Sequence, residues 1–157
     1  MHLIHAPLAT PDNVLPRVEM EVDRLRLAKR LWRGAASDGV EFGFELAKPL
    51  QPGEAFFQTA HACYFIAQTP ESLLEISLVV VPSVAAGIGW AIGNLHLELM
   101  ADSTRLLTPD EKAVRRLLAR LNVPFCETRA VFRPGRFARD EQNQTTQTHD
   151  LGPSHKH

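Results

Sequence analysis

The amino-acid sequence predicts an α+β chain in three parts: a small all-β unit over residues 1–70, a βαββαβ unit over residues 71–138, and a polar, disordered tail over residues 139–157. Three observations carry this. Apolar residues recur at every second position through much of the first half, the period of a half-buried strand. After Thr69-Pro70-Glu71-Ser72 the period switches between two and 3.6 in the order strand, helix, strand, strand, helix, strand. From residue 139 the apolar period is lost.

Residues 1–17 hold three prolines and no clear period, and are expected to form a loose lead-in. Val18, Met20 and Val22 alternate with Glu19, Glu21 and Asp23, which predicts a strand. Leu25–Trp32 is expected to be a second strand. Ser37-Asp38-Gly39 is a turn, because Asp-Gly readily supplies positive φ. Val40, Phe42 and Phe44 then alternate with Glu41, Gly43 and Glu45, so a hairpin follows. Gln51-Pro52-Gly53-Glu54 marks another turn, and Ala55–Gln58 and Ala62–Ala67 are short strands.

In the second unit, Leu74, Ile76, Leu78 and Val80 form one face of a strand. Pro82 can open a helix to about Asn94 that is rich in small residues. Each of its interior glycines costs roughly 1 kcal/mol of helix propensity, so close packing must offset them. Gly93-Asn94 suits a helix C-cap. Leu95–Met100 alternates as a strand, with Thr104–Leu107 as a short partner. Thr108-Pro109-Asp110-Glu111 has the form of a capping box, with Thr108 as cap and Pro109 in the first helical position. Ala113, Val114, Leu117, Leu118 and Leu121 form the apolar stripe of that helix, Asn122-Val123-Pro124 stops it, and Phe125–Phe132 returns to strand. This element order is the ferredoxin-like one. The tail, with Gln142-Asn143-Gln144-Thr145-Thr146-Gln147, cannot bury enough apolar surface to offset the entropy of ordering it.

Composition narrows the function. Lys+Arg is 17 and Asp+Glu is 18, so the basic footprint of a nucleic-acid binder is missing. The apolar run from Leu78 to Ile92 is broken by Pro82, Ser83 and glycines and is too short to span a bilayer. No charged start followed by an apolar run marks a secretory signal. Cys63 and Cys126 stand far apart with no CxxC, so a zinc knuckle or a redox pair is not expected. Both are expected to be core residues. A reducing cytoplasmic location fits these features.

Seven histidines are present, three of them (His149, His155 and His157) in the last nine residues. Imidazole suits nickel, zinc and copper. His96 directly follows the small-residue helix, where the carbonyl dipoles favour a cation. One histidine cannot hold a metal, but two copies meeting near a two-fold axis can, with tail histidines completing the shell. His2, His5 and His61 have incidental settings. There is no GxSxG elbow, HExxH or P-loop, and Glu75 and Glu98 read as charges on a solvated face. No enzyme activity is expected.

Segments in both halves of the chain resemble a known family. Asp23-Arg24-Leu25, the run Ser37-Asp38-Gly39-Val40-Glu41-Phe42-Gly43-Phe44-Glu45-Leu46 and Leu50-Gln51-Pro52-Gly53-Glu54 are similar to the N-terminal domain of the UreE urease accessory proteins. Trp90-Ala91-Ile92-Gly93-Asn94-Leu95-His96 resembles that family's metal-binding Gly-Asn-x-His signature, and Leu118–Phe132 looks like its final helix and strand. The resemblance covers about residues 15–135. It implies a homodimeric nickel chaperone with a peptide- or partner-binding β domain and a ferredoxin-like metal-binding domain. It implies that His96 and its counterpart bind Ni²⁺, with Zn²⁺ or Cu²⁺ competing for the same site. It further implies delivery to apo-urease in a complex with an accessory GTPase. The sequence departs from many members in having no histidine between His96 and His149 and a short, dilute tail. The alternatives are a peptide-binding adaptor, a general zinc or copper storage protein, a metal-dependent hydrolase and an RNA-binding sheet. The last wants aromatics on its central strands, and Leu95–Met100 has none.

Overall fold

A computed structural model describes residues 1–135. The chain is mixed α+β and divides into two compact units, one of Met1–Glu71 and a second beginning at Ser72. The expected tail, residues 139–157, lies outside the described residues.

The first unit carries two three-stranded sheets. Strands β1 (His2–Ile4), β4 (Glu41–Glu45) and β3 (Leu31–Ala35) form one, in the order β1-β4-β3. Strands β2 (Arg17–Val22), β6 (Cys63–Gln68) and β5 (Ala55–Gln58) form the other, in the order β2-β6-β5. In each sheet the central strand has one parallel and one antiparallel neighbour. The period-two residues of both sheets meet in one core of Met20, Val22, Trp32, Phe42, Phe44, Phe56, Tyr64 and Ile66. Aromatic contacts organise it: Trp32 stacks on Phe44 at 3.8 Å, and Phe42 meets Phe56 edge-on at 5.0 Å. The two predicted turns are present, with Gly39 and Gly53 at φ 87° and 88°.

Two expectations for this unit are corrected. The lead-in contains strand β1, because His2, Leu3 and Ile4 find a ready ladder along Phe42, Gly43 and Phe44. The strand expected over Leu25–Trp32 is instead a one-turn helix α1 (Arg24–Leu27) followed by β3. Asp23 accounts for this: its carboxylate accepts a 2.8 Å hydrogen bond from the Arg26 amide, and a capped turn outcompetes a weak alternation.

The second unit runs β7 (Glu71–Ser77), α2 (Pro82–Gly93), β8 (Met100–Ala101), β9 (Arg105–Pro109), α3 (Lys112–Arg120) and β10 (Cys126–Ala130), with the sheet ordered β10-β7-β9-β8. Alternate residues of β7 go to opposite faces. Leu74 and Ile76 share a core with Ile88 and Ile92 of α2 and Val114, Leu117 and Leu118 of α3, while Leu73 packs with Leu107 and Phe132.

Three expectations change here. Leu95–Met100 is not a strand; only Met100–Ala101 pairs, against Leu107 and Leu106 of β9. Leu97 and Leu99 still turn inward, against the helical core, but from a loop. The capping box does not form. Thr108 and Pro109 end β9 in register with Leu74 and Leu73, and α3 starts later with Glu111 at its N-cap and no side-chain cap. Sheet pairing takes the residues that local capping would have used. Cys63 is buried as expected, but Cys126 is exposed on an edge strand.

Candidate metal centre

The site is built from the end of α2. Pro82 sits in the first helical turn, where its missing N–H costs nothing. At the far end Asn94 is the C-cap, and its amide donates to the Trp90 carbonyl at 3.0 Å. The next two amides tighten the spiral: Leu95 N–H donates to Ile92 O at 3.0 Å and His96 N–H to Gly93 O at 2.9 Å. Such three-residue bonds are a common way for a helix to finish. His96 then takes φ 57°, in the left-handed region, and is exposed. That region costs an L-residue roughly 1–2 kcal/mol.

The loop after His96 is tied down at three points. Leu97 and Leu99 pack against the α2–α3 core. The Thr108 hydroxyl donates to the Glu98 carbonyl at 3.2 Å. The Gly135 amide donates to the Leu99 carbonyl at 2.7 Å, so the last described residues run beside this loop. The exposed side of α2 that leads to His96 carries small and apolar residues. Trp90 is 71% exposed, Leu95 and Val84 are exposed, and a Cβ added at Gly87 or Gly93 would meet nothing within 4 Å.

No group of three or more His, Cys, Asp or Glu able to hold a metal ion occurs among the described residues. His96 stands in its own loop, and His149, His155 and His157 lie outside the described residues. Two of the other histidines are engaged elsewhere: His2 lies 4.5 Å from the Phe57 ring, and His5 Nδ1 is 3.2 Å from the Glu45 carbonyl oxygen. Glu75 accepts a 2.9 Å hydrogen bond from Arg105. The Cys63 thiol is pushed up by burial, which suits a core residue. Sequence reasoning missed Thr108 as a support of the loop. The Thr-Pro-Asp-Glu run was a strong local signal for a different role, and only the strand register reveals this one. The exposure of Trp90 had a weak signal, a large aromatic among small helical residues.

Comparison with known proteins supplies the family. The model of the UreE urease accessory protein C-terminal domain matches residues 71–157. The chain is 37% identical over 123 residues to the urease accessory protein UreE of Deinococcus radiodurans, covering 73% of this chain and 75% of that one. It is 28% identical over 92 residues to the protein of the same name from Bifidobacterium longum subsp. infantis, covering 59% of this chain and 41% of that one. With a family match over more than half its length and a relative this similar over most of it, the chain belongs to the UreE urease accessory protein family.

Proposed function

We propose that this chain is a nickel metallochaperone, not an enzyme, that binds Ni²⁺ at His96 and delivers it to apo-urease during urease maturation. The observation that carries the reading is the exposed His96 held in a left-handed turn at the end of α2, beside an exposed face of small and apolar residues. Exposed Trp90 and Leu95 suit contact with a second copy, and a two-fold contact there brings two imidazoles together. Neutral imidazole suits Ni²⁺, and Zn²⁺ and Cu²⁺ would compete for the same donors. Few-ligand coordination at a surface also permits release to the next protein.

The place of the last described residue supports a role for His149, His155 and His157. Gly135 is bonded to Leu99, and Leu99 is three residues, at most about 11 Å of chain, from His96. In this reading the unit over residues 71–138 is the ferredoxin-like metal domain, and the unit over residues 1–70 receives partner segments. Partners are an accessory GTPase and apo-urease in the cytoplasm. No helix among the described residues is long and apolar enough to cross a membrane.

Calorimetric titration with Ni²⁺ and Zn²⁺, alongside mass by light scattering, tests this. Wild-type protein is expected to be a dimer with a shared nickel site. His96→Ala should keep its circular dichroism and lose at least about 100-fold in affinity, since even outer-sphere changes cost metal sites about 10–100-fold. Removing residues 140–157 should lower affinity or stoichiometry and leave the dimer. Wild-type affinity in His96→Ala would refute the proposal.

A further inference from the structure

We propose that Thr108 is a positioning residue for His96; the inference rests on the nickel-site reading above and adds a residue to it. Thr108 is the buried polar residue among the described ones, 0% exposed, paired with Leu74 and two residues from Leu106 on the same strand. A buried hydroxyl is retained where it has a partner, because an unpaired one is costly. Here the partner is the carbonyl of Glu98, two residues beyond His96.

The placement of donor and acceptor gives the bond its purpose. Thr108 lies on β9, an interior strand of the sheet between β7 and β8, with its backbone fixed opposite Leu74. Glu98 lies in the segment between α2 and β8, which has no sheet pairing. The hydroxyl therefore ties an unpaired loop to a rigid strand. A residue such as His96 stays in a costly backbone region only when its surroundings over-determine it. The helix bonds of Leu95 and His96 hold one side of that residue, and Thr108 holds the other. Without the hydroxyl, residues 96–98 can relax toward ordinary φ values and the imidazole leaves its aim.

The test compares Thr108→Val, which keeps the branched shape and removes the donor, with Thr108→Ser, which keeps the donor. Each is made in the full chain and read by nickel calorimetry and by amide hydrogen exchange of the metal-free protein. Thr108→Val should lose about tenfold in nickel affinity and exchange faster at residues 96–99, with exchange in α3 unchanged. Thr108→Ser should restore both readouts. If Thr108→Ser loses as much as Thr108→Val, the hydroxyl is not the cause and the inference is overturned. It is also overturned if Thr108→Val binds like wild type while His96→Ala does not. If wild type and His96→Ala bind nickel equally, the site reading itself fails and takes the positioning role with it.

Discussion

The second unit ends its two helices in different ways. Helix α3 closes on Asn122 at φ 53°, with Asn122 N–H donating to Ala119 O and Val123 N–H to Leu118 O. This is the paired-bond closure in which a left-handed residue follows the cap, and asparagine is one of the residues that tolerates it. Helix α2 has a glycine and an asparagine at hand, Gly93 and Asn94, yet uses neither for positive φ. The left-handed residue is His96, two places after the cap. At α3 the sequence spends its tolerant residue on ending the helix. At α2 the strained position falls on His96, the residue proposed here to bind nickel. Costly backbone of this kind gathers at functional sites, where it aims a side chain.

The sharpest way to break that comparison is His96→Gly. Glycine adopts positive φ freely, which relieves roughly 1–2 kcal/mol, and glycine's greater chain entropy takes back about 0.5–1 kcal/mol. The variant should therefore gain up to about 1.5 kcal/mol in denaturant unfolding while losing at least about 100-fold in nickel affinity. A gain in stability together with a loss of binding shows that the strain sits on the residue that supplies the ligand. A variant that is less stable than wild type would show that the turn at 96 is not strained.

Asn122 provides the matching control. Asn122→Val places a branched residue at positive φ and should cost about 1–2 kcal/mol by thermal or denaturant unfolding. Asn122→Gly should be near neutral. Neither should change nickel affinity beyond what lost folding explains. A specific loss of binding in Asn122→Gly would mean that the two helix ends are not functionally distinct.

Much of this architecture was legible in the residues because short-range physics decided it. Alternation at Phe42 and Phe44, the Asp38-Gly39 turn and the Pro82–Asn94 helix all depend on neighbours within a few positions. His96 was legible as a candidate from its place after that helix and from its resemblance to a signature. Its backbone conformation was not, since Gly93 and Asn94 are the residues local rules would choose. Thr108 misled for the opposite reason. Its local sequence favours a helix cap, while the ladder to Leu74 and the carbonyl of Glu98, both distant in sequence, claim its backbone and hydroxyl. Leu97 and Leu99 show the same limit, because two inward leucines at period two suit a strand or a loop equally until the packing partner is known.

Two aspartate turns sharpen the comparison with the smallest effect. In the first unit, Asp38 is held below the ordinary carboxylate range because it accepts hydrogen bonds from the Val40 amide and the Tyr64 hydroxyl. In the second, Asp102 lies just past the His96 loop. It is lowered to about 2, first by the Thr104 amide and then by Arg105 and the Thr104 hydroxyl. A depressed carboxylate stabilises the fold above its unfolded pKa of about 3.8, and that contribution fades as pH falls through about 2. Asp102 is a third exposed, so solvent screening reduces its share to below about 1 kcal/mol. Asp102→Asn should therefore flatten part of the fall in melting temperature between pH 4 and pH 2 and leave the pH 7 fold intact. If Asp102→Asn and wild type lose stability in parallel across that window, the turn bonds do not anchor this end of the loop. The support of His96 then rests on α2, Thr108 and Gly135 alone.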